Sequence, residues 1–175
     1  MILLNGPPGV GKSTLARRYA ADHPLTLNLD VDRVRDLIGG WREHPHDAGL
    51  LARAVALAAA RTHLAAGHDV IVPQLLARPA FIDELAGLGS PMYEIVLLDS
   101  RENVIRRFVH RSRTSADPGH RSVAEILDRP GGMAELEAMY DRLVALIAER
   151  PATKVIPCPD GEEDRAYRDL LAVLA

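Results

Sequence analysis

Nine residues near the N-terminus, Gly6-Pro7-Pro8-Gly9-Val10-Gly11-Lys12-Ser13-Thr14, have the composition of a phosphate cradle. They fit the spacing G-x-x-x-x-G-K-[ST], in which glycines let backbone N–H groups turn inward around phosphate oxygens. Lys12 is placed to reach the β- and γ-phosphates of a nucleoside triphosphate, and the Ser13 hydroxyl to ligate Mg²⁺. The chain holds two lysines against nineteen arginines, so a lysine at the motif's own position is not a product of composition. ATP and Mg²⁺ are the cofactors this implies, with ATP against GTP left open.

A triphosphate needs something to receive its phosphoryl group. Asp30 and Asp32 follow an apolar stretch and fall where an acceptor would lie, across from the loop. A carboxylate can orient an attacking hydroxyl and accept its proton. Asp32, one step nearer the following helix, is the favoured base, and Asp30 a candidate to hold a water on Mg²⁺. Capping a helix is the structural alternative for Asp32.

Arginines form the second constellation. Arg101, Arg106, Arg107, Arg111, Arg113 and Arg121 fall in one stretch, and Arg107 and Arg111 share a helix face at i, i+4. Such arginines could swing onto the transferring phosphoryl group and stabilise its developing charge. The polar segment after them, within residues 112–132, reads as a lid that excludes water. A solvated basic face is the bland alternative.

Weaker candidates surround these. His44, His46 and Asp47 flank a proline and read as loop rather than metal ligands. Trp41 reads equally as a stacking surface for an acceptor ring or as cover for the core. The 159–161 turn falls where a nucleotide base could rest, and Cys158 reads as buried rather than reactive.

Positioning these groups requires alternating strands and helices. Short apolar runs at 1–5, 25–29, 68–73, 92–98 and 153–157 read as strands. Helices are expected over 15–20, 33–38, 50–66, 78–88, 102–112, 122–127, 133–149 and 162–174, with 41–49 a loop. The pattern predicts an α/β fold of three α/β/α layers with a five-stranded parallel sheet. Right-handed crossovers would then bring the loop, Asp30 and Asp32, Gln74 and Asp99 to one rim.

Composition sets outer limits. At 175 residues the chain reads as one domain over 1–175, and a net charge of −3 gives no sign of a nucleic-acid or membrane-surface partner. One cysteine excludes an intrachain disulfide framework. The apolar N-terminal run stops at Asn5 without a basic flank, so a cytoplasmic protein without a signal peptide is expected. A homodimer is left open.

With the loop at residue 6, Val31-Asp32 after the second strand and Arg107-x-x-x-Arg111 before a polar segment, the chain resembles the small P-loop kinases. These include gluconate, shikimate, adenylate and chloramphenicol kinases and zeta-toxin-like proteins. The resemblance implies that Asp32 is the catalytic aspartate and that Arg107 and Arg111 are lid arginines. The segment 72–81 is also similar to the tunicamycin-resistance ATP-binding proteins. One departure stands out: many such kinases carry an acid at the end of the third strand, whereas this chain has Pro73-Gln74. Asp99, after the fourth strand, could be mistaken for that acid, but the resemblance does not place the function there.

The expected activity is transfer of the γ-phosphoryl group of ATP to a hydroxyl of a small molecule, such as an antibiotic, nucleoside or sugar. The alternative is a nucleotide-dependent ligand-binding or resistance protein, or a slow ATPase, suggested by Gln74. A motor module of the AAA+ type is disfavoured because no helical lid domain fits.

Overall fold

A computed structural model of the chain describes residues 1–114 and 131–175, the side chains of 111–114 excepted. Strands β1 (Ile2–Asn5), β2 (Leu27–Asn28), β3 (Val70–Pro73), β4 (Tyr93–Leu98) and β5 (Lys154–Pro157) form one sheet in the order β2-β3-β1-β4-β5. Every pair is parallel, with Leu3 against Val72 and Glu94, Leu27 against Val70, and Val96 against Val155. The helices are α1 (Lys12–Asp22), α2 (Val31–Asp36), α3 (Pro45–Ala65), α4 (Pro79–Ala86), α5 (Arg101–Thr114), α6 (Gly132–Glu149) and α7 (Glu163–Leu174). This is the three-layer α/β architecture expected.

Period-2 alternation in the buried strands builds the two layers. Ile2 and Leu4 of β1 enter a core with Leu15, Ala16 and Tyr19 of α1 and Ala166, Tyr167 and Leu170 of α7. Leu3, between them, enters the opposite core with Ala52, Ala56 and Ala60 of α3, Phe81, Ile82 and Leu85 of α4, and Leu146 of α6. Fully burying one such leucine contributes about 1.5–3 kcal/mol, so both faces of β1 anchor the sheet. Among the described residues no helix is long and apolar enough to cross a membrane.

Several boundaries differ from the expectation, each for a local reason. Strand β2 is two residues long and starts late because Leu25 takes a left-handed φ of 67° that extended backbone does not permit. Helix α2 begins at Val31 rather than 33, because the Asp30 carboxylate accepts the Asp32 N–H at 3.0 Å and caps it. Helix α3 starts at Pro45 rather than 50. A proline in the first turn sacrifices no hydrogen bond there, so His46 and Asp47 are helical and the loop is shorter. The helix expected over 122–127 lies outside the described residues, as do most of the lid over 112–132 and the side chains of Arg111, Arg113 and Arg121.

Candidate active site

The loop joins the C-terminal end of β1 to α1, and its shape depends on Gly6. Its φ is 148°, and a Cβ there would stand 2.5 Å from the Leu97 carbonyl oxygen of β4, closer than any side chain tolerates. Gly11, with φ 107°, sits at the N-cap of α1. Ser13 and Thr14 follow in the exposed first turn, where the Thr14 N–H donates to the Gly11 carbonyl at 3.0 Å. Lys12 arches back over the loop, its Nζ donating to the carbonyls of Gly6 at 2.8 Å and Pro7 at 2.9 Å.

Asn5, absent from the residues singled out in the sequence, ties this loop to its surroundings. Its fully buried side chain accepts from Gly6 N–H at 2.7 Å and Leu76 N–H at 2.9 Å, and donates to Leu76 O at 2.8 Å. The segment after β3 is thereby clamped to the loop's first residue. A polar residue ending a run of four buried apolar ones was the signal available.

Helix α5 lies over the other side of the loop. A Cβ on Gly9 would meet the Phe108 nitrogen at 3.6 Å, so α5 lies within a methyl group's reach of the loop. Arg107, the residue before Phe108, is 6% exposed. Its Nη2 donates to Asp99 Oδ2 at 2.6 Å and to the Cys158 carbonyl at 2.9 Å. Asp99 in turn accepts from Asn103 Nδ2 at 3.0 Å, and its carbonyl accepts from the Tyr140 hydroxyl at 2.9 Å. In this arrangement Arg107 is a fixed guanidinium rather than one that swings. Asp99, which the resemblance left without a task, holds it. Cys158 is fully buried, and burial pushes its thiol pKa upward, so it is poorly suited to react.

A cavity of about 310 Å³ opens beside this pair, lined by Arg106, Arg107, His110 and Asp160. Asp160 comes from the turn after β5, so the cavity lies where the sequence placed a nucleotide base. The Arg107 Nε is buried there without a hydrogen-bond partner.

The side on which the sequence reading placed an acceptor is built from β2, β3 and α2. Asp30 is occupied as the α2 cap, and its carboxyl is shifted upward, first by burial and then by the charge of Asp32. Asp32, in the exposed first turn of α2, makes one ion pair, with Arg35 at 3.3 Å. The alternative of Asp32 as the helix cap is therefore removed, since Asp30 fills that position. Arg35 and Arg42 both lie over the Trp41 ring, at 4.6 and 4.5 Å from its centroid. Gln74 follows β3, with its N–H donating to Leu4 O at 3.2 Å, directly beside the end of β1.

A triphosphate and Mg²⁺ fit the residues present. Gly6 lets the loop pack closely on β4, Lys12 places an ammonium on the loop, and Arg107 offers an unfilled buried donor at the cavity. Mg²⁺ keeps several waters and takes few protein ligands beside substrate phosphates, a demand that Ser13 and Asp30 can meet. Among the described residues no group of three or more His, Cys, Asp or Glu could hold a metal unaided.

The parallel order β2-β3-β1 thus brings Gly6 to Thr14, Asp30 and Asp32 to one rim, with Arg107 on the far side of the loop through α5.

Comparison with known proteins agrees with this fold. Residues 1–129 match the AAA domain family AAA_33. An adenylate kinase of Deinococcus radiodurans is 31% identical over 133 residues, covering 68% of this chain and 68% of that protein. Two solved structures are similar in fold. A gluconokinase from Sinorhizobium meliloti 1021 has a TM-score of 0.63 at 18% identity, over 99% of this chain and 92% of the other. A candidate kinase from Chloroflexus aurantiacus j-10-fl has a TM-score of 0.67 at 19% identity, over 99% and 94%. The chain therefore belongs to the AAA domain family AAA_33, with a P-loop kinase-like nucleotide-binding fold.

Proposed function

We propose that the protein transfers the γ-phosphoryl group of ATP to a hydroxyl of a small molecule. The carrying observation is the strand order, which sets the phosphate loop after β1 and Asp32 after β2 on the same sheet edge with β3 between them. The acceptor oxygen attacks the γ-phosphorus, the bond to the β–γ bridging oxygen breaks, and ADP leaves with that oxygen. Asp32 orients the attacking hydroxyl and takes its proton. Lys12 and the loop amides hold the phosphates, and Arg107 and Arg111 neutralise charge on them. Mg²⁺, held by Ser13 and a water on Asp30, would supply charge neutralisation between the β- and γ-phosphates. The lid over 112–132 would exclude water from this site, within one domain of 1–175.

One observation favours a second reading, a nucleotide-dependent binding protein or slow ATPase. Gln74 stands where an acid would strengthen metal binding, and its buried Oε1 has no partner.

ADP release in the presence of MgATP and a panel of hydroxylated acceptors separates the two. At least one acceptor is expected to raise the rate. Asp32→Asn is expected to cut that stimulated rate by about 10²–10⁴, while MgATP still raises its melting temperature. An Asp32→Asn variant as fast as the wild type would remove Asp32 from the mechanism. A rate indifferent to every acceptor would favour the second reading.

A further inference from the structure

We propose that the outward face of α3 is an interface for a second copy of this chain, whose own α3 packs on it antiparallel about Ala54. The inference stands apart from the proposed activity.

Spacing divides α3 (Pro45–Ala65) into two faces. Ala48, Ala52, Ala56 and Ala60 recur at every fourth position and are buried, the last three in the core shared with α4 and α6. The opposite face of a surface helix is ordinarily polar. Here it carries Leu50, Leu51, Ala54 and Ala58, with Val55 at its border, and every one of them is exposed. Leu50, Leu51 and Val55 are 52%, 55% and 52% exposed. Arg53, the charge nearest the middle of the helix, leaves this face and lies over the Phe81 ring of α4. A contiguous apolar stretch of this kind on a surface marks a place of contact.

The charges at its ends specify what makes the contact. Asp47 and Arg61 are both exposed on this same outward face, each about two turns from Ala54 and towards opposite ends of the helix. A second α3 laid antiparallel about Ala54 sets each Asp47 against the partner's Arg61. A parallel arrangement would oppose like charges at both ends. The antiparallel one also places the positive N-terminus of each helix dipole beside the negative C-terminus of the other. Ala54 on the axis and Ala58 beside it let two helices approach to about 8 Å, the near end of the usual range, so that Leu50 and Leu51 pack across the seam. A face complementary to itself under a two-fold rotation is matched by another copy of the same chain. One helix face falls short of the ~800 Å² per partner of a standard interface, so the dimer is weak and reversible.

Sedimentation equilibrium of the full chain from about 5 to 500 µM tests this. A reversible dimer is expected, with a Kd of about 10–100 µM. Ala54→Glu sets two carboxylates face to face on the axis, and is expected to stay monomeric throughout. Its melting temperature should hold to within about 2 °C, because glutamate is a good helix former at an exposed position. Asp47→Arg and Arg61→Asp are each expected to weaken the dimer about 5-fold or more, and the two together to restore it to within about 3-fold of the wild type. Ala54→Cys is expected to be oxidised to a disulfide-linked dimer, whereas Glu84→Cys, exposed on α4, is not. The native Cys158 is fully buried and does not interfere. A wild type monomeric up to 500 µM, whether or not it binds lipid vesicles, would overturn the proposal. So would a dimer that survives Ala54→Glu, a charge-swapped double variant no stronger than its singles, or equal cross-linking of the two introduced cysteines.

Discussion

The pair Arg107–Asp99 fixes the position of α5 over the phosphate loop, and breaking it has a magnitude that follows from its surroundings. The two side chains are 7% and 8% exposed and meet at 2.6 Å. Solvent screening is therefore weak, and removing one partner leaves the other's charge buried. Losses for such truncations run about 3–5 kcal/mol. In the Asp99→Ala variant the guanidinium keeps the Cys158 carbonyl and borders a cavity that water can enter. Both soften the penalty, so a loss of about 3 kcal/mol is expected, near the lower end. For a chain of this size that corresponds to a fall of about 6–12 °C in melting temperature. Arg107→Met leaves the buried Asp99 carboxylate without its cation but still bonded by the Ser100 N–H and Asn103 Nδ2, at similar cost. The double variant leaves neither charge buried, and its loss is expected to fall short of the sum of the singles by about 2 kcal/mol or more. Urea unfolding of the three variants and the wild type provides the cycle. A loss below about 1 kcal/mol for Asp99→Ala, or additive losses, would refute the argument that this pair is a desolvated clamp.

Two further outcomes follow from hydrogen bonds elsewhere. Asn5→Ala would leave the Gly6 and Leu76 amides and the Leu76 carbonyl without their partner. A loss of about 2–4 kcal/mol in urea unfolding is expected, with weaker MgATP binding because the loop is no longer clamped. The Tyr167 hydroxyl donates to Asp22 at 2.6 Å, and burial, reinforced by that bond, pushes its pKa from 10.0 up to about 12. Between those values the folded protein keeps a proton that the unfolded chain has lost, so stability falls as pH rises through that window. Tyr167→Phe is expected to be about 1 kcal/mol less stable near neutral pH and to lose this alkaline slope, measured by urea midpoints in both ranges. An unchanged slope would show that Tyr167 is not its source.

Much of this arrangement is legible in the sequence, because the strongest signals are local. Short apolar strands alternating with helices specify the layers. The glycines and lysine of residues 6–14 specify the loop, since backbone approach to phosphate admits few alternatives. What was not legible depends on contacts far apart in the chain. Asn5 bonds across to Leu76, and Arg107 to Asp99 and Cys158, pairings that spacing does not encode. The helix cap was misplaced by two residues because Asp30 and Asp32 are chemically equal cap candidates, and only the backbone turn distinguishes them. The unpartnered atoms of Asn28, Arg35 and Gln74 are invisible to periodicity, because whether a polar group is satisfied is a property of the folded surroundings.

The central claim is that the phosphate loop and Asp32 are two halves of one transfer site. Phosphorus NMR of the protein incubated with MgATP and a mixture of charged and neutral hydroxylated acceptors tests it most directly. A phosphomonoester growing in step with ADP, absent when Asp32→Asn replaces the wild type, is the expected result. ADP growing with inorganic phosphate alone, at a rate indifferent to the mixture and to Asp32, would contradict it.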